Sequence, residues 1–440
     1  MAEKKVGICL LGCGTVGAGV VSILREQRAM LRQRTGIDFE LRHVVVKGPE
    51  DYPANAAELP MSTDAGAAID NADTDIVVEL IGGTAVAGTF VERALRAGKP
   101  VVTANKALLA TRGVELFKIA RGSKTCVAFE ASAGGGIPII DAISRGLAAN
   151  RIDALLGIVN GTCNFILTKM TQNGWSYAEA LKQAQRLGFA EANPAMDVQG
   201  RDAAQKLAIL AGLAFNCRVT EKDIFVSGID TLDAMDIQFA RDLGYVIKLL
   251  AIAERKEGSR LSLRVHPSLV HKDDVLADVS GSFNAISVYS HALGHALWYG
   301  RGAGRMPTAS AVVADIISVA QGIQGLLFNQ MQILMDVVPP VSVQPFEQLE
   351  SRYYIRLSAK DQPGVLAQVT AILGRHGISV ASINQREGGE DRTVPVVITT
   401  HKSREGAVQL ALKEIDALGT ILRPTVCVRI VDQPEEFAAA

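Results

Sequence analysis

The hydrophobic pattern of the first 130 residues predicts strands that alternate with helices. Amphipathic stretches of helical period, such as Thr89–Ala97 and Gly113–Arg121, lie between short apolar runs. Strands separated by helices are typical of a parallel sheet that is covered on both faces. The pattern therefore predicts a Rossmann-like α/β domain over residues 1–130. Its expected strands are Val6–Leu11, Phe39–Val46, Ile76–Leu80, Val101–Thr103 and Cys126–Phe129.

After residue 130 the pattern predicts an α+β domain that extends to residue 306. It combines long helical segments with apolar strands. A further helix is predicted over Pro307–Asn329, since Pro and Thr suit its first turn. We expect this helix to return to the first domain and to complete it with residues 307–330. The expected helices of the second domain are Ser176–Leu187, Arg201–Phe215 and Gln238–Arg255, and its expected strands are Leu155–Val159 and Leu261–His266.

The last part of the chain predicts a separate small domain. Residues 337–350 contain Pro339, Pro340 and Pro345, and they are interpreted as a linker. The order of elements beyond it is βαββαβ, which is the ferredoxin-like arrangement, over residues 351–432. Its expected elements are Tyr353–Ser358, Gly364–His376, Ile378–Arg386, Thr393–Thr400, Ser403–Ala417 and Thr425–Val431.

Composition excludes several classes of protein. The 45 basic and 46 acidic residues give a net charge of −1, which argues against a cationic nucleic-acid binder. No stretch offers the roughly 20 sustained apolar residues of a membrane-spanning helix. The six cysteines include no CxxC pair, so we expect reduced thiols in a cytoplasmic protein. His291 and His295 have no acidic third ligand nearby, which disfavours a zinc dehydrogenase.

A glycine-rich turn follows the first predicted strand. Gly12, Gly14 and Gly17 form a GxGxxG motif between a strand and a helix, which is the context that dinucleotide binding requires. The amides of Thr15 and Val16 would face a pyrophosphate at the positive end of that helix. A purely structural turn is the alternative. The context favours NAD or NADP.

The choice between the two cofactors stays open at this point. Sites that prefer NAD usually carry Asp or Glu at the end of the second strand, where it binds the ribose 2′-hydroxyl. This chain has Lys47 near that position, and a lysine could instead bind a 2′-phosphate. In the alternative, Lys47 is a solvated loop residue and Glu50 or Asp51 binds the ribose.

The segment from Gly188 to Lys206 concentrates polar residues. Asp202 and Lys206 are four residues apart and therefore share one face of the helix predicted there. The apolar residues that follow indicate a largely buried helix with this face directed into a cleft. A surface ion pair is the alternative, and spacing alone does not decide between them.

Six blocks of sequence together resemble the homoserine dehydrogenase family, in its form with a C-terminal ACT domain. They span the first 320 residues in the order that the family has. Two further segments, Lys360–Leu366 and Ile378–Gln385, resemble the ACT signature. The six blocks are Gly12–Gly17, Val102–Lys106, Glu130–Pro138, Gly157–Phe165, Gly188–Lys206 and Gly302–Ala311.

The resemblance implies reversible, NAD(P)-dependent reduction of aspartate semialdehyde to homoserine, in the biosynthesis of threonine, methionine and isoleucine. By family correspondence Lys206 is the proton donor, and Lys106 and Asp202 belong to the catalytic site. Glu191 and Asp202 are implied to bind the substrate ammonium. An exposed lysine at a helix start is the alternative for Lys106. The cofactor positions that the resemblance adds are Gly82, Lys106, Gly188, Gly302 and Gly304.

The resemblance also implies a monovalent cation, with sodium as the expected ion, held by main-chain carbonyl groups. These carbonyls map onto Glu130, Ala133, Gly135 and Ile137. Carbonyl oxygens suit a hard cation, and the glycines allow the chain to curl around one. A packing turn without an ion is the alternative. Two departures from the family pattern are Cys163, where threonine is common, and Asn193, where aspartate is frequent.

The ACT resemblance implies a regulatory site for a small amino acid, with threonine as the effector. Its expected residues are Asp361, Gly364, Asn384 and Gln385. The alternative is a dimerising module without an effector. A homodimer or homotetramer is expected in either case.

Two other functions compete with this interpretation. A Rossmann oxidoreductase acting on a sugar or another amino acid would need a substrate block different from Glu191–Lys206. A protein that senses NADP(H) or an amino acid without catalysis would not need Lys106, Glu191, Asp202 and Lys206 together.

Overall fold

The computed structural model describes residues 4–51, 53, 56–385, 393–432 and 434. Arg386, the end of one predicted strand, lies outside these residues. The chain folds into two compact units. The first contains Met1–Ile152, Gln205–Glu221 and Leu297–Val341. The second contains Asp153–Ala204, Lys222–Ala296 and Ser342–Ala440.

The first unit contains the predicted parallel sheet. Its strands are β1 (Lys4–Leu11), β2 (Ile37–Val45), β3 (Met61–Ser62), β4 (Ile76–Glu79), β5 (Val101–Thr103) and β6 (Val127–Ala128), in the order β3-β2-β1-β4-β5-β6. Each neighbouring pair is parallel, and the Rossmann prediction is confirmed. The helices of this part are α1 (Thr15–Glu26), α2 (Arg28–Thr35), α3 (Ala65–Asp70), α4 (Ala85–Arg96), α5 (Lys106–Gly122) and the short α6 (Ile139–Asp141).

The second unit is organised on one large sheet. Its central strands are β7 (Ile152–Ile158), β9 (Tyr245–Arg255), β10 (Leu261–His271) and β11 (Phe283–Ser290), and β8 (Phe225–Val226) pairs with β10. The strand β12 (Gly294–Arg301) is divided between the two units at Leu297. The helices between these strands in sequence are α7 (Gly161–Asn173), α8 (Tyr177–Arg186), α9 (Ala195–Val198), α10 (Arg201–Phe215) and α11 (Ala234–Asp242). Most of α10 belongs to the first unit, since that unit includes Gln205–Glu221.

The core of the first unit includes residues from far along the chain. Val312 and Ile316 are buried in one cluster with Ile8, Val20 and Leu24. They lie on the helix predicted over Pro307–Asn329, which the structure divides into α12 (Arg305–Ala320) and α13 (Ile323–Gln330). The break is at Gly322, a left-handed residue with φ 81°. A left-handed glycine ends a helix because the intrahelical hydrogen bonds stop there.

One helix prediction is wrong. The segment Gln238–Arg255 is not a single helix, because α11 ends near Asp242 and β9 begins at Tyr245. Gly244, with φ 82°, stops the helix. The following run of Val, Ile, Leu and Ala then forms a central strand between β7 and β10. Both faces of this strand are covered, and residues 246–253 are apolar apart from Lys248, so the pattern resembles that of a buried helix.

The C-terminal segment has the predicted ferredoxin-like fold. Its strands follow the order β17-β13-β15-β14, and two helices lie between them in sequence. The last strand, β17, pairs in parallel with β10, so this sheet continues directly into the other strands of the second unit. The elements are β13 (Glu350–Lys360), α14 (Val365–Arg375), β14 (Val380–Gln385), β15 (Thr393–Thr400), β16 (Ser403–Arg404), α15 (Glu405–Asp416) and β17 (Ile421–Val431).

The segment between α13 and β13 makes regular backbone hydrogen bonds. Within the first unit, Arg218 donates its amide to Pro339 O at 2.7 Å. Within the second unit, Leu261 donates its amide to Ser342 O at 2.8 Å, and Gln344 donates to Leu261 O at 2.9 Å. The linker predicted over 337–350 is therefore bound along its course, whereas the three domain boundaries stay predictions from the sequence.

Among the described residues, no single helix is long and apolar enough to cross a membrane. The pair α12 and α13 passes that test of length and composition only when its two parts are counted together across a bend of 84°.

Candidate active site

The glycine turn has the geometry of a dinucleotide site. Gly12 is left-handed, with φ 97°, and donates its amide to Val45 O at 2.8 Å. A Cβ on Gly17 would lie 2.2 Å from Gly12 O, so the third glycine allows the helix to approach the turn. A Cβ on Gly14 would meet no atom of a described residue within 4 Å. Space is therefore open over Gly14, where a pyrophosphate would approach.

The first turn of α1 presents amides toward that space. Gly14 is the N-cap residue and has no side chain that could accept from them. The amides of Thr15, Val16 and Gly17 therefore have no partner within the helix. Together with the helix dipole they suit a phosphate group. The residues present fit NAD or NADP.

A cleft of about 1120 Å³ lies along this turn at the carboxyl ends of the parallel strands. Buried Glu79 shapes its wall, because it accepts from the amides of Ile81 and Gly82 at 2.9 and 3.0 Å. Thr103 donates its hydroxyl to the same carboxylate at 2.7 Å. Polar residues that line the cleft are Lys47, Asp51, Thr63, Asp64 and Arg93, and Gly12, Gly14 and Gly82 line it as well.

The cleft is compatible with both interpretations of the residues after the second strand: Lys47 could bind a 2′-phosphate, or Asp51 could bind the ribose. Lys47 and Asp51 line it together, so a cation and a carboxylate are both available to the adenosine ribose. Arg93 also lines it, but it is paired with Asp70. Sequence reasoning did not select Thr63 or Arg93, since neither belongs to a motif.

Lys106 is the first residue of α5, directly after β5. The helix is capped by Asn105, whose Oδ1 accepts from Leu108 N at 3.0 Å. The Asn105 Nδ2 group donates to Gly83 O at 2.7 Å and so ties this helix start to the cleft wall. Half-buried Lys106 therefore lies at the same edge of the sheet as the glycine turn, which favours the functional interpretation over that of an exposed helix start.

The second unit gathers two carboxylates around one amide. Asn160 donates from Nδ2 to Asp197 Oδ1 at 2.7 Å and to Asp202 Oδ2 at 2.8 Å. Its Oδ1 accepts from Cys163 N at 2.8 Å and so caps α7. Sequence reasoning placed Asn160 in a family block but gave it no role. The signal was available, since an Asn before a helical run is a typical N-cap.

Asp202 and Lys206 are one turn apart on α10, as the spacing predicted. Asp202 is 9% exposed, and Lys206 is half-buried. The residues that follow on the helix, Leu207, Leu210 and Ala211, are buried. A surface ion pair therefore does not describe this position, because Asp202 is buried and bound to Asn160.

Glu191 lies in the loop before α9 and is exposed. Its carbonyl accepts from Gln185 Nε2 at 3.2 Å. The nearby Gly188 is left-handed, with φ 75°, and Thr162 donates its hydroxyl to Phe189 O at 2.6 Å. The structure thus brings Asp202 and Asn160 together and leaves Glu191 exposed on its loop.

The loop after Glu130 curls tightly against residues near Gly302. Gly134 and Gly135 are left-handed, with φ 82° and 58°. A Cβ on Gly135 would lie 2.2 Å from Gly302 O, and Gly136 donates its amide to Arg301 O at 3.0 Å. Gly304, with φ 124°, then caps α12. The loop at Gly135 therefore has no room for a side chain where it approaches Gly302.

Two buried carboxyl groups stabilise this loop. Glu130 accepts from the amides of Ile140 and Asp141 at 2.9 and 2.8 Å, and Asp315 accepts from Glu130 N at 2.9 Å. Burial raises the pKa of Glu130 to about 7 and that of Asp315 well above its usual value.

Within the described ranges, no group of three or more His, Cys, Asp or Glu side chains could hold a metal. Ala133 is extended and precedes the left-handed pair Gly134 and Gly135. Ile137 O accepts from Ile139 N at 2.8 Å. Main-chain oxygens are the donors that a sodium ion would use, so the loop is compatible with one.

The predicted regulatory residues fall into two separate places within one chain. Gly364 is left-handed, with φ 90°, and begins α14 just after Asp361. Asn384 pairs with Val397 on β15, which in turn pairs with Arg356 on β13. Asn384 and Gln385 therefore lie two strands away from β13 and several residues from the level of Asp361.

Three models of known protein families match the chain. The family model for the NAD-binding domain of homoserine dehydrogenase matches residues 12–130, and the homoserine dehydrogenase model matches residues 138–317. An ACT domain model matches residues 353–419. The chain belongs to the homoserine dehydrogenase family.

Full-length relatives agree with this assignment. A homoserine dehydrogenase of Pseudomonas aeruginosa is 43% identical over 98% of this chain and 99% of its own length. One of Neisseria gonorrhoeae is 40% identical over 97% and 99%. The chain is therefore an oxidoreductase of the homoserine dehydrogenase family.

Solved structures of homoserine dehydrogenases have the same fold. A crystal structure from Thiobacillus denitrificans superposes with a TM-score of 0.91 at 40% identity and covers 98% of this chain and 99% of that one. A hyperthermophilic archaeal homoserine dehydrogenase in complex with NADPH superposes with a TM-score of 0.60 at 25% identity, over 72% of this chain and 97% of that one.

Proposed function

We propose that the protein interconverts L-homoserine and L-aspartate 4-semialdehyde with NADP or NAD, and that Lys206 is the proton donor in the direction of reduction. The observation that carries this proposal is the position of Lys206 one helical turn after Asp202, which is buried and bound to Asn160. A rigid helix fixes the spacing of the two groups. General acid catalysis needs its donor in such a defined position.

The chemistry assigns a separate task to each group. A bound nicotinamide would supply the hydride to the aldehyde carbon. The Lys206 ammonium polarises the aldehyde oxygen and then protonates it, so that a C–H and an O–H bond replace the carbonyl π bond. In the reverse direction neutral Lys206 takes that proton back. Lys106 belongs to the same catalytic site on the side of the cofactor cleft.

Asp202 and Glu191 bind the substrate ammonium in this proposal. Carboxylates suit that group because a charge-assisted hydrogen bond to an ammonium is about twice as strong as a neutral one. Asp202 is held in place by Asn160, whereas exposed Glu191 belongs to the loop at Gly188. We therefore expect Glu191 to engage mainly when substrate is present.

In the cofactor cleft Lys47 favours NADP, whereas Asp51 would favour NAD. Gly188, Gly302 and Gly304 allow the backbone to approach the cofactor. A sodium ion on the carbonyls of Glu130, Ala133, Gly135 and Ile137 would order the loop that borders Gly302. We propose in addition that threonine acts through the ACT domain, in a cytoplasmic homodimer or homotetramer.

The decisive experiment measures turnover of Lys206→Ala with aspartate semialdehyde and either nicotinamide. We expect kcat to fall by about 10²–10⁴, which is the range for loss of a general acid. Lys182→Ala, which removes an exposed lysine of α8, is the matched control and should keep full activity. Near-normal turnover of a folded Lys206→Ala variant would contradict the assignment. The same assay with and without threonine tests the effector.

A further inference from the structure

A polar cavity lies where the ACT strands join the other strands of the second unit. The joint is the parallel pairing of β10 with β17, in which Ser268 is opposite Arg429 and Val270 is opposite Val431. The cavity has a volume of about 380 Å³. Clefts of about 300–1,000 Å³ typically hold small organic ligands. Its described lining does not include the glycine turn, Asp202 or Lys206.

Basic side chains outnumber acidic ones in the described lining of the cavity by four to three. Arg264 and Arg429 are buried, at 6% and 5% exposure, and Lys256 and Lys402 complete the basic lining. Buried guanidinium groups have few rotamers left, so their charges are fixed at this place. Two fixed guanidinium groups therefore face the cavity, together with half-buried Lys256 and exposed Lys402.

The described carboxylates near the cavity are already bound. Glu254 accepts from Arg264 at 2.9 Å and forms an ion pair with Lys256 at 3.0 Å. Glu350 pairs with Arg404 at 3.4 Å, and Asp432 pairs with Arg352. The carboxylate of Glu405 binds Arg429, with Oε2 accepting from Nε at 2.8 Å.

Among the residues that the structure describes, the lining and its direct partners thus carry six basic and four acidic side chains. Lys402 forms no ion pair with any residue that the structure describes. The basic members are Lys256, Arg264, Arg352, Lys402, Arg404 and Arg429, and the acidic ones are Glu254, Glu350, Glu405 and Asp432.

Arg429 is held from a second side. Its guanidinium lies 5.2 Å from the ring centre of Phe225 and 5.0 Å from that of Phe346. These two rings stack on each other with centres 3.5 Å apart. The guanidinium is therefore locked by the rings and by Glu405, and it cannot swing away to solvent to relieve the positive charge.

His266 provides an independent observation at the same place. It lines the cavity, is 1% exposed, and its Nε2 has no hydrogen-bond partner among the described residues. Its Nδ1 lies 2.9 Å from Pro267 O, which can only accept, so Nδ1 carries the proton. Burial, followed by the charges of Arg429 and Arg264, holds the pKa of His266 well below its usual value. The buried ring is therefore neutral and adds no charge of its own to the cavity.

We propose that this cavity binds a small dicarboxylate, whose two charges balance the excess of two positive charges. One carboxylate would bind Lys402 and the other would face Arg264 and Arg429. The ligand would then bridge β10 of the catalytic strands to β17 of the ACT domain. An organic dianion suits the volume better than a single inorganic ion, which would leave most of the space to water.

Titration calorimetry of the full-length protein with succinate, at an ionic strength held constant with sodium chloride, tests the proposal. We expect saturable binding of one succinate per chain. Lys402→Gln should weaken it about tenfold, which is the loss of about 1.4 kcal/mol. Lys402→Glu should abolish it. Lys413→Gln, on α15 and outside the cavity, is the matched control and should bind like the wild type.

Four results would overturn the proposal. The first is the absence of a saturable heat with the wild-type protein. The second is an equal affinity in the wild type and in Lys402→Glu, both shown to be folded by circular dichroism. The third is loss of succinate binding at saturating homoserine, because that would place succinate in the substrate site. Competition by inorganic phosphate at equal affinity would likewise refute an organic dicarboxylate as the ligand class.

Discussion

Asn160 is expected to control activity and stability through different atoms of one side chain. Its Oδ1 caps α7, and its Nδ2 holds Asp197 and Asp202. Asn160→Ala removes both functions. Loss of the cap costs about 0.5–2 kcal/mol of unfolding free energy. Each hydrogen bond to a carboxylate contributes about 1.5–3 kcal/mol, so loss of the bond to Asp202 should lower kcat/KM for homoserine roughly 10- to 150-fold.

Asn160→Ser separates the two functions. A serine caps a helix nearly as well as an asparagine, but its hydroxyl is too short to bind both carboxylates. We expect it to be about 1 kcal/mol more stable than Asn160→Ala and to lose as much kcat/KM. The assays are urea unfolding and steady-state kinetics in which homoserine and cofactor are varied independently. The KM for the cofactor should not change, because the cofactor contacts lie elsewhere.

Ser176→Ala provides the matched control, since Ser176 caps α8 by accepting from Glu179 N at 3.3 Å. It should lose the stability of one cap, about 0.5–2 kcal/mol, without losing activity. The reasoning would be refuted if Asn160→Ser recovered activity in proportion to its recovered stability. Asn160 would then act only as a cap, and Asp202 would not depend on it.

Three further predictions concern the cofactor, the ACT contact and pH. Lys47→Glu should shift the ratio of kcat/KM values from NADP toward NAD, and an unchanged ratio would make Lys47 a loop residue without a role. Arg356→Ala should lower the free energy of unfolding by about 3–5 kcal/mol, because buried Asp236 loses its cation. The control Arg352→Ala, which breaks the exposed pair with Asp432, should lower it by less than about 1 kcal/mol. Equal losses of unfolding free energy in the two variants would contradict the argument. Burial lowers the pKa of Lys248 to about 8, so the unfolded chain binds more protons than the folded one above that pH. The free energy of unfolding should therefore rise between pH 8 and about 10.5, and the Lys248→Met variant should not show this rise. An identical pH profile of unfolding in both proteins would show that Lys248 does not carry it.

The sequence predicts the parts of the molecule in which local chemistry and structure agree. The glycine turn at Gly12 follows from strand, turn and helix signals that all lie within a few residues. The face shared by Asp202 and Lys206 follows from helix geometry alone. The ferredoxin-like order is equally predictable, because each of its strands has a distinct apolar run.

The remaining features depend on long-range pairing. The pattern of Tyr245–Arg255 predicts a helix, because burial of both faces of this strand removes the alternation of a half-exposed strand. The proline-rich segment before Glu350 predicts a separable ACT domain, whereas the structure shows a continuous sheet and an ion pair of Arg356 with buried Asp236. Neither the β10–β17 pairing nor the Arg356–Asp236 ion pair can be predicted from a local sequence pattern, because the partners are more than 100 residues apart.

The pairing of β10 with β17 has a consequence for synthesis of the chain. About 150 residues separate the end of β10 from the start of β17. At about 5–20 residues per second, the ribosome needs roughly 8–30 s to make them. During that time the edge of β10 has unpaired backbone groups, which invite pairing with another nascent chain. Expression at low temperature or with a chaperone should therefore raise the yield of folded protein more than the stability of the finished fold suggests.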